Sequence, residues 1–262
     1  MSRPAAPTRR LVLAGGLAAA GVAQGARAAP GIADASPWIA YESRLRARLA
    51  DAGGGRFDGP AEREILDLTN AARAASGAPP LRWDEELAET ARAHAADLAH
   101  RNYFEHLSPE AFDPSHRFWL LARRTIGSPS ENLALHRGSG RADPAGLMRN
   151  WRGSPPHWRN LLKPGHTHAG FGLVRIGDSD YLAGLYARPV LTLPQPFPFR
   201  PSAREFAAAL QAVPEAVEAS TPQGGAWSRA DGAPRVMQLS ARRPLEGRAY
   251  ERIGGPIFVT PA

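Results

Sequence analysis

Between Asp84 and Pro155 the sequence restarts a helix four times. Asp84 precedes Glu85 and Glu86, and Asp113-Pro114, Asp143-Pro144 and Ser154-Pro155 repeat one device, a capping side chain followed by proline at the first helical position. Acids in a first turn and proline at that position both favour a helix start. Each start is followed by apolar residues at helical spacing: Leu87, Ala91, Ala95 and Leu98; Phe118 and Leu121; Leu147 and Trp151; Trp158, Leu161 and Leu162. An earlier helix opens at Pro60, carries Ile65, Leu68, Ala72 and Ala75 on one face, and stops at Gly77 before Pro79-Pro80.

After Gly165 the period changes. Ala169, Phe171 and Leu173 alternate with Gly170, Gly172 and Val174, which predicts a strand. Gly177-Asp178-Ser179-Asp180 is turn chemistry, and Tyr181–Ala187 forms a second strand, giving a hairpin. Several helices and few strands, with helices available for both sheet faces, indicate a mixed α/β layered domain.

The flanks differ from this centre. Residues 1–28 have a basic front, an apolar middle from Leu11 to about Gly25 and the triplet Ala26-Arg27-Ala28, the pattern of an export signal peptide. Thr8-Arg9-Arg10-Leu11-Val12-Leu13 resembles a twin-arginine signal. Its apolar stretch is short for a membrane span of ~20 residues, so no stable span is expected after signal cleavage, and a periplasmic or secreted location follows. Residues 29–59 read as a lead-in, with a helix around Trp38–Leu49 and a break at Gly53-Gly54-Gly55. Residues 60–190 hold the periodic signals. Residues 191–262 form a Pro-rich extension of unknown role, with a helical stretch near Ala203–Ala212 and a strand at Ile257–Thr260. Phe197 and Phe199 in this extension read as cover for the domain's own core.

Composition excludes several functions. There is no cysteine, hence no disulfide scaffold, thiolate zinc site or cysteine nucleophile. The formal charge is +7, but Arg3, Arg9, Arg10 and Arg27 lie in the leader; without those four the charge is +3, and no nucleic-acid surface is expected.

All eight histidines fall between His94 and His168. His94 lies on the apolar stripe of its helix and reads as a satisfied core residue. His100, His116 and His136 read as surface or capping residues. His166 and His168 have the i, i+2 spacing that would share one face of a strand, a pattern found in zinc sites. Their place before the first strand reads instead as an exposed strand start. Three positions carry more chemistry. His106 sits in a loop, Tyr103-Phe104-Glu105-His106-Leu107-Ser108-Pro109. Glu131 stands between Ser130 and the apolar run from Leu133, where a plain helix-start role is the alternative. His157 is the third residue of the helix capped by Ser154, where nearby backbone donors disfavour the imidazolium. A neutral imidazole is the metal-binding form.

These pieces occur in an order that resembles the CAP superfamily, the group of cysteine-rich secretory protein, antigen 5 and pathogenesis-related 1, and in particular its bacterial SCP-like extracellular members. The resemblance spans roughly Ala61–Arg188. It rests on Asn70-x-x-Arg73, Leu81-Arg82-Trp83-Asp84-x-x-Leu87, Phe104-Glu105-His106-Leu107-Ser108-Pro109, Glu131-Asn132-Leu133-Ala134, Trp151-x-x-Ser154-Pro155-Pro156-His157-x-x-Asn160-Leu161-Leu162 and Gly170-Phe171-Gly172. It implies a three-layer α-β-α sandwich around a mainly antiparallel sheet. It also implies a ligand cleft lined by His106, Glu131 and His157, with no cofactor required and a divalent metal such as zinc held at His106 and His157 in some members. The second glutamate of the eukaryotic cavity has no counterpart between Trp151 and His157.

Three functions are compatible with that cleft. The favoured one is a non-enzymatic exported module for a lipid, small-molecule or cell-envelope ligand. The alternative is a metal-assisted, peptidase-like hydrolase, in which His106, His157 and Glu131 hold a metal that turns bound water into a nucleophile. In its other form Glu131, the candidate catalytic residue, is instead the general base while a histidine polarises the substrate. Against it, no metalloprotease helix motif is present, and Ser108 and Ser154, both before proline, suit turns or caps better than nucleophilic attack. The second alternative is an envelope protein-interaction scaffold.

Overall fold

The computed structural model describes residues 31, 34–138, 143–221, 235–242 and 250–260. The expected leader, residues 1–28, lies outside the described residues.

The lead-in helix is α1, Ala35–Asp51, capped by Asp34 and burying Trp38, Tyr41 and Leu45. The glycines after it are required. Gly53 has φ 67°, and a Cβ there would lie 2.3 Å from the Ala96 carbonyl oxygen. The chain then runs through β1 (Arg56–Phe57), α2 (Gly59–Ala75), β2 (Arg82–Trp83), α3 (Glu85–Arg101), α4 (Pro114–Leu121), β3 (Thr125–Ile126) and β4 (Ser130–Arg137). It continues through α5 (Pro144–Arg152), α6 (Pro155–Leu162), β5 (His168–Ile176) and β6 (Ser179–Ala187). Asp58, Asp84, Asp113 and Asp143 each accept a backbone N–H in the first turn of the helix they start. Ser154 occupies the corresponding position at α6 but its hydroxyl makes no capping bond, a correction to the expected cap; Pro155 in the first turn supplies the start signal.

The central sheet has strand order β1-β5-β6-β4, with β2 added in parallel to the start of β5 and all other pairs antiparallel. The alternation in β5 sorts its faces. Ala169, Phe171 and Leu173 pack with α2, α5 and α6 residues such as Ile65, Trp151 and Leu161. The other face receives α3. A Cβ on Gly170 would lie 2.1 Å from the Ala88 nitrogen, and one on Gly172 would lie 2.2 Å from the Arg92 nitrogen. Helix α3 thus rests directly on the strand backbone, and with α1 outside it completes a three-layer α-β-α sandwich.

Strand β4 overturns the helix-start alternative for Glu131. Both its faces are covered, so Leu133-Ala134-Leu135 reads as an unbroken apolar run rather than an alternating one. Its outer edge is closed by side chains. Trp151 Nε1 donates to the Leu133 carbonyl at 2.9 Å and Asn160 Nδ2 to the Glu131 carbonyl at 3.4 Å. Such cover spares the edge from pairing with another chain.

The Pro-rich segment is built onto this domain. Strand β7 (Leu191–Thr192) pairs with β3. Then come α7 (Ala203–Gln211), β8 (Val217–Ser220), β9 (Arg235–Arg242) and β10 (Tyr250–Val259), the last three forming an antiparallel sheet in the order β10-β9-β8. Phe197 is buried against Phe206, and Phe199 meets Phe258, which itself packs with Trp38, Tyr41 and Leu121. Phe199 covers the domain's own core, as expected, whereas Phe197 packs in a separate cluster formed mainly by the extension itself. Among the described residues no helix is long and apolar enough to cross a membrane.

Candidate functional site

The motif polar residues divide into those that hold the fold and those that face one edge of the sheet. Asn70 exchanges two hydrogen bonds with the Leu81 backbone, at 2.7 and 3.0 Å. Arg73 is buried and donates to the carbonyls of Pro79, Leu161, Lys163 and His166, tying α2 to the C-terminal end of α6. Ser108 accepts from the Phe112 and Glu110 amides, the turn role its place before proline suggests.

The site forms where β4 begins. Glu131 and Leu133 share the strand face toward α3 and α4, as the two-residue period requires. There Glu131 meets Arg117 of α4, whose Nη2 reaches Oε2 at 2.8 Å and Oε1 at 3.1 Å. His106 Nδ1 lies 2.8 Å from Oε1, and His94 Nε2 lies 3.8 Å from it. Arg117 Nη1 also donates to the carbonyls of His106 and Phe112, holding the loop that carries His106. The carboxylate side chain is 1% exposed, whereas that of His106 is 52% exposed. His106 therefore hydrogen-bonds inward through Nδ1–H and turns Nε2 outward, a tautomer assigned from its carboxylate partner.

Across the β4 edge stands His157, half-buried in the first turn of α6, its carbonyl accepting from Asn132 Nδ2 at 3.0 Å. Burial, then the charge of His106, lowers the His157 pKa, so the two imidazoles repel each other as cations. His106 and Glu131 thus touch at one strand end, and the His157 backbone is fastened to the neighbouring residue Asn132.

Electrostatics fix their states. Burial acts to raise the Glu131 pKa, but Arg117, His94 and the hydrogen bonds from His106 and Arg117 together outweigh it and hold the carboxyl at about 2. Arg117 is buried, and Glu131 holds it charged. Burial and the neighbouring Arg117 push His94 down to about 3, so it is neutral at pH 7.

Three corrections follow. His94 is fully buried but not satisfied, since its Nδ1 has no partner among the described residues, and it belongs to the site through Glu131. His166 and His168 do not share a strand face, because β5 starts at His168. Nor is His166 exposed: it is buried, stacks on Tyr186 and meets Ser130 Oγ at 3.1 Å and Asn160 Oδ1 at 3.2 Å. The third concerns Arg117, which the sequence reading passes over. Its signal is a guanidinium beside Phe118, Leu120 and Leu121 on one short helix, because a buried arginine needs a buried partner.

Among the described residues no three His, Cys, Asp or Glu side chains are grouped to hold a metal ion. The hydrogen-bond pattern gives the reason. Glu131 is committed to Arg117 and His106 and orients the imidazole instead of offering itself as a ligand. That leaves two imidazoles, His106 and His157, fewer than the three protein ligands usual for a catalytic zinc.

Helices on both faces of a mainly antiparallel sheet, with two histidines and a buried glutamate at the end of its edge strand, define a CAP-type sandwich. The family model of the cysteine-rich secretory protein (CAP) family matches residues 66–187, a little under half of the chain. The chain is 37% identical over 120 residues to the uncharacterised protein YkwD of Bacillus subtilis, covering 45% of this chain and 44% of that protein. It is 34% identical over 114 residues to the uncharacterised membrane protein YlbC of the same organism, covering 44% and 32%. The chain spans less than half the length of either relative. Among solved structures, an extracellular SCP-domain protein of Bacillus anthracis is 27% identical with a TM-score of 0.44, covering 50% of this chain and 41% of that one. An outer surface protein of Borrelia burgdorferi is 16% identical with a TM-score of 0.46, covering 52% and 98%.

Proposed function

We propose that the protein is an exported binding module whose cleft, between the His106 loop and the start of α6, takes a small amphipathic ligand of the cell envelope. The observation that carries this is the state of Glu131. Its oxygens are engaged by Arg117 and His106, and a carboxyl titrating at about 2 is a poor general base at neutral pH. This argues against the general-base form of the hydrolase, and its metal form lacks three grouped ligands among the described residues. The site offers an exposed imidazole flanked by Phe104 and Leu107, which are 39% and 50% exposed. Apolar contact beside one oriented polar group is the usual composition of a ligand site. A divalent ion would be held by His106 and His157 with water filling its remaining positions, a weak and exchangeable site that the binding role does not require. Export rests on the leader pattern in residues 1–28.

Titration with 1-anilinonaphthalene-8-sulfonate, an apolar anion, tests this. Saturable binding that weakens in His106→Ala and in Phe104→Ser/Leu107→Ser, with unchanged melting, supports the module. Casein hydrolysis that disappears in Glu131→Gln with the fold retained would restore the hydrolase.

A further inference from the structure

The two sides of the cleft differ in a way that ligand binding alone does not use. On one side the loop after α3 ends in four consecutive exposed residues, Phe104 to Leu107. Phe104 and Leu107 are the large apolar side chains exposed among the described residues. Single exposed apolar residues are ordinary, but here two flank one exposed histidine at a loop tip. On the other side α5 and α6 pack against β4, with His157 in the first turn of α6, within a stretch, residues 144–177, that contains no aspartate or glutamate. Arg152, Arg159 and Lys163 are exposed there, and among the described residues none of them forms an ion pair. Arg152 instead lies over the Trp158 ring, 5.8 Å from its centre. Arg149 differs, being paired with Asp143 at 3.4 Å. One acid, Glu105, stands in the apolar loop against these three unpaired cations.

We propose that this rim is a membrane-docking surface: Phe104 and Leu107 enter the interface of an anionic phospholipid bilayer, while Arg152, Arg159 and Lys163 lie against its headgroups. Apolar side chains that reach the acyl boundary and cations that meet anionic lipid act together at such interfaces. A soluble polyanion would gain from the cations but nothing from the two apolar residues, so the combination selects a bilayer. Docking on the rim presents the cleft mouth to the lipid surface and does not require the cleft to be filled.

Vesicle sedimentation tests the surface, with the full chain in every arm so that residues 1–28 contribute equally. The vesicles are phosphatidylcholine alone, or phosphatidylcholine and phosphatidylglycerol in equal parts. The parent should partition to the anionic vesicles more strongly, and Arg152→Glu/Arg159→Glu/Lys163→Glu should reduce that partition by about tenfold or more. Phe104→Ser/Leu107→Ser should also reduce it, and added salt should weaken the parent. All these substitutions are on the surface, and matching melting curves check the fold. Equal partition of the parent and both variants overturns the proposal. So does capture by soluble polyphosphate that releases the vesicles and is indifferent to Phe104→Ser/Leu107→Ser. Loss of vesicle capture in His106→Ala alone would place the lipid in the cleft and also overturn rim docking.

Discussion

Arg117 grips both oxygens of Glu131 from a helix 14 residues away in sequence, and both side chains are almost fully enclosed. The pair anchors the start of β4 to α4, and through its second amino group Arg117 holds the loop that presents His106. Breaking a buried pair leaves the remaining charge without a partner, which costs about 3–5 kcal/mol. Arg117→Ala should lose stability on that scale in urea denaturation. Arg117→Met/Glu131→Leu should recover much of it, because no charge is then left buried. A loss under about 1 kcal/mol for Arg117→Ala would mean that water reaches the carboxylate.

Acid should weaken the fold in two stages. His94 is held at about 3 and His166 at about 4, both below the ordinary 6.5. The unfolded chain therefore takes up these protons first, and stability falls as pH drops below 6.5. Glu131, held at about 2 against an ordinary 4.5, adds stability that is complete above 4.5 and is lost as pH falls toward 2. Urea midpoints between pH 7 and pH 3 should decline from the upper end of that range. His94→Gln should flatten the first stage. A midpoint constant down to pH 5 would contradict the neutral, buried state of His94 and His166.

Two glycines separate packing from chain flexibility. Gly172 lies under α3 with no room for a methyl group, whereas a Cβ on Gly165 would meet nothing within 4 Å. Gly172→Ala must push α3 off β5 and should cost about 1–3 kcal/mol or more. Gly165→Ala should stay within about 1 kcal/mol of the parent, on either side. Thermal melts of the two variants check the order. Equal melting temperatures would refute direct contact between helix and strand.

What can be read from the sequence is local. Asp84, Asp113 and Asp143 announce α3, α4 and α5 because a cap acts within one turn, and the β5–β6 hairpin shows in its alternation and turn residues. Strand β4 is hidden because burial on both faces erases the period. His106, Glu131 and His157 can be grouped only through resemblance, since their meeting depends on how α6 and the His106 loop flank a strand that leaves no periodic mark. His94 reads as a core histidine, correctly as to burial. Its link to Glu131 spans 37 residues and has no local mark. In the extension the helix near Ala203–Ala212 and the Ile257–Thr260 strand can be read locally, but the attachment of its proline-rich segment cannot, because the anchor Arg123 lies about 75 residues upstream.

Arg123 anchors the proline-rich segment. It is half-buried, and the loss of solvent lowers its pKa to about 10, with the nearby Arg46 adding to the fall, so it remains charged at pH 7. Among the described residues no carboxylate bonds it. Its Nε donates to the Phe197 carbonyl at 2.9 Å, Nη2 to Pro198 at 3.1 Å and Nη1 to Trp119 at 2.8 Å. Those carbonyls belong to the end of α4 and to the proline-rich segment, which cannot satisfy its backbone in a regular ladder. Replacing Arg123 by methionine keeps the stem but leaves these acceptors unpaired, at a cost of about 1–3 kcal/mol for each one that stays buried. The segment should loosen before the sandwich does, because the CAP core does not depend on it. Limited proteolysis of Arg123→Met should therefore cut within residues 194–201 faster than in the parent, while the dye binding proposed for the His106 cleft is unchanged. An unchanged cutting rate would show that Phe197, Phe199 and their apolar partners hold the segment without the arginine.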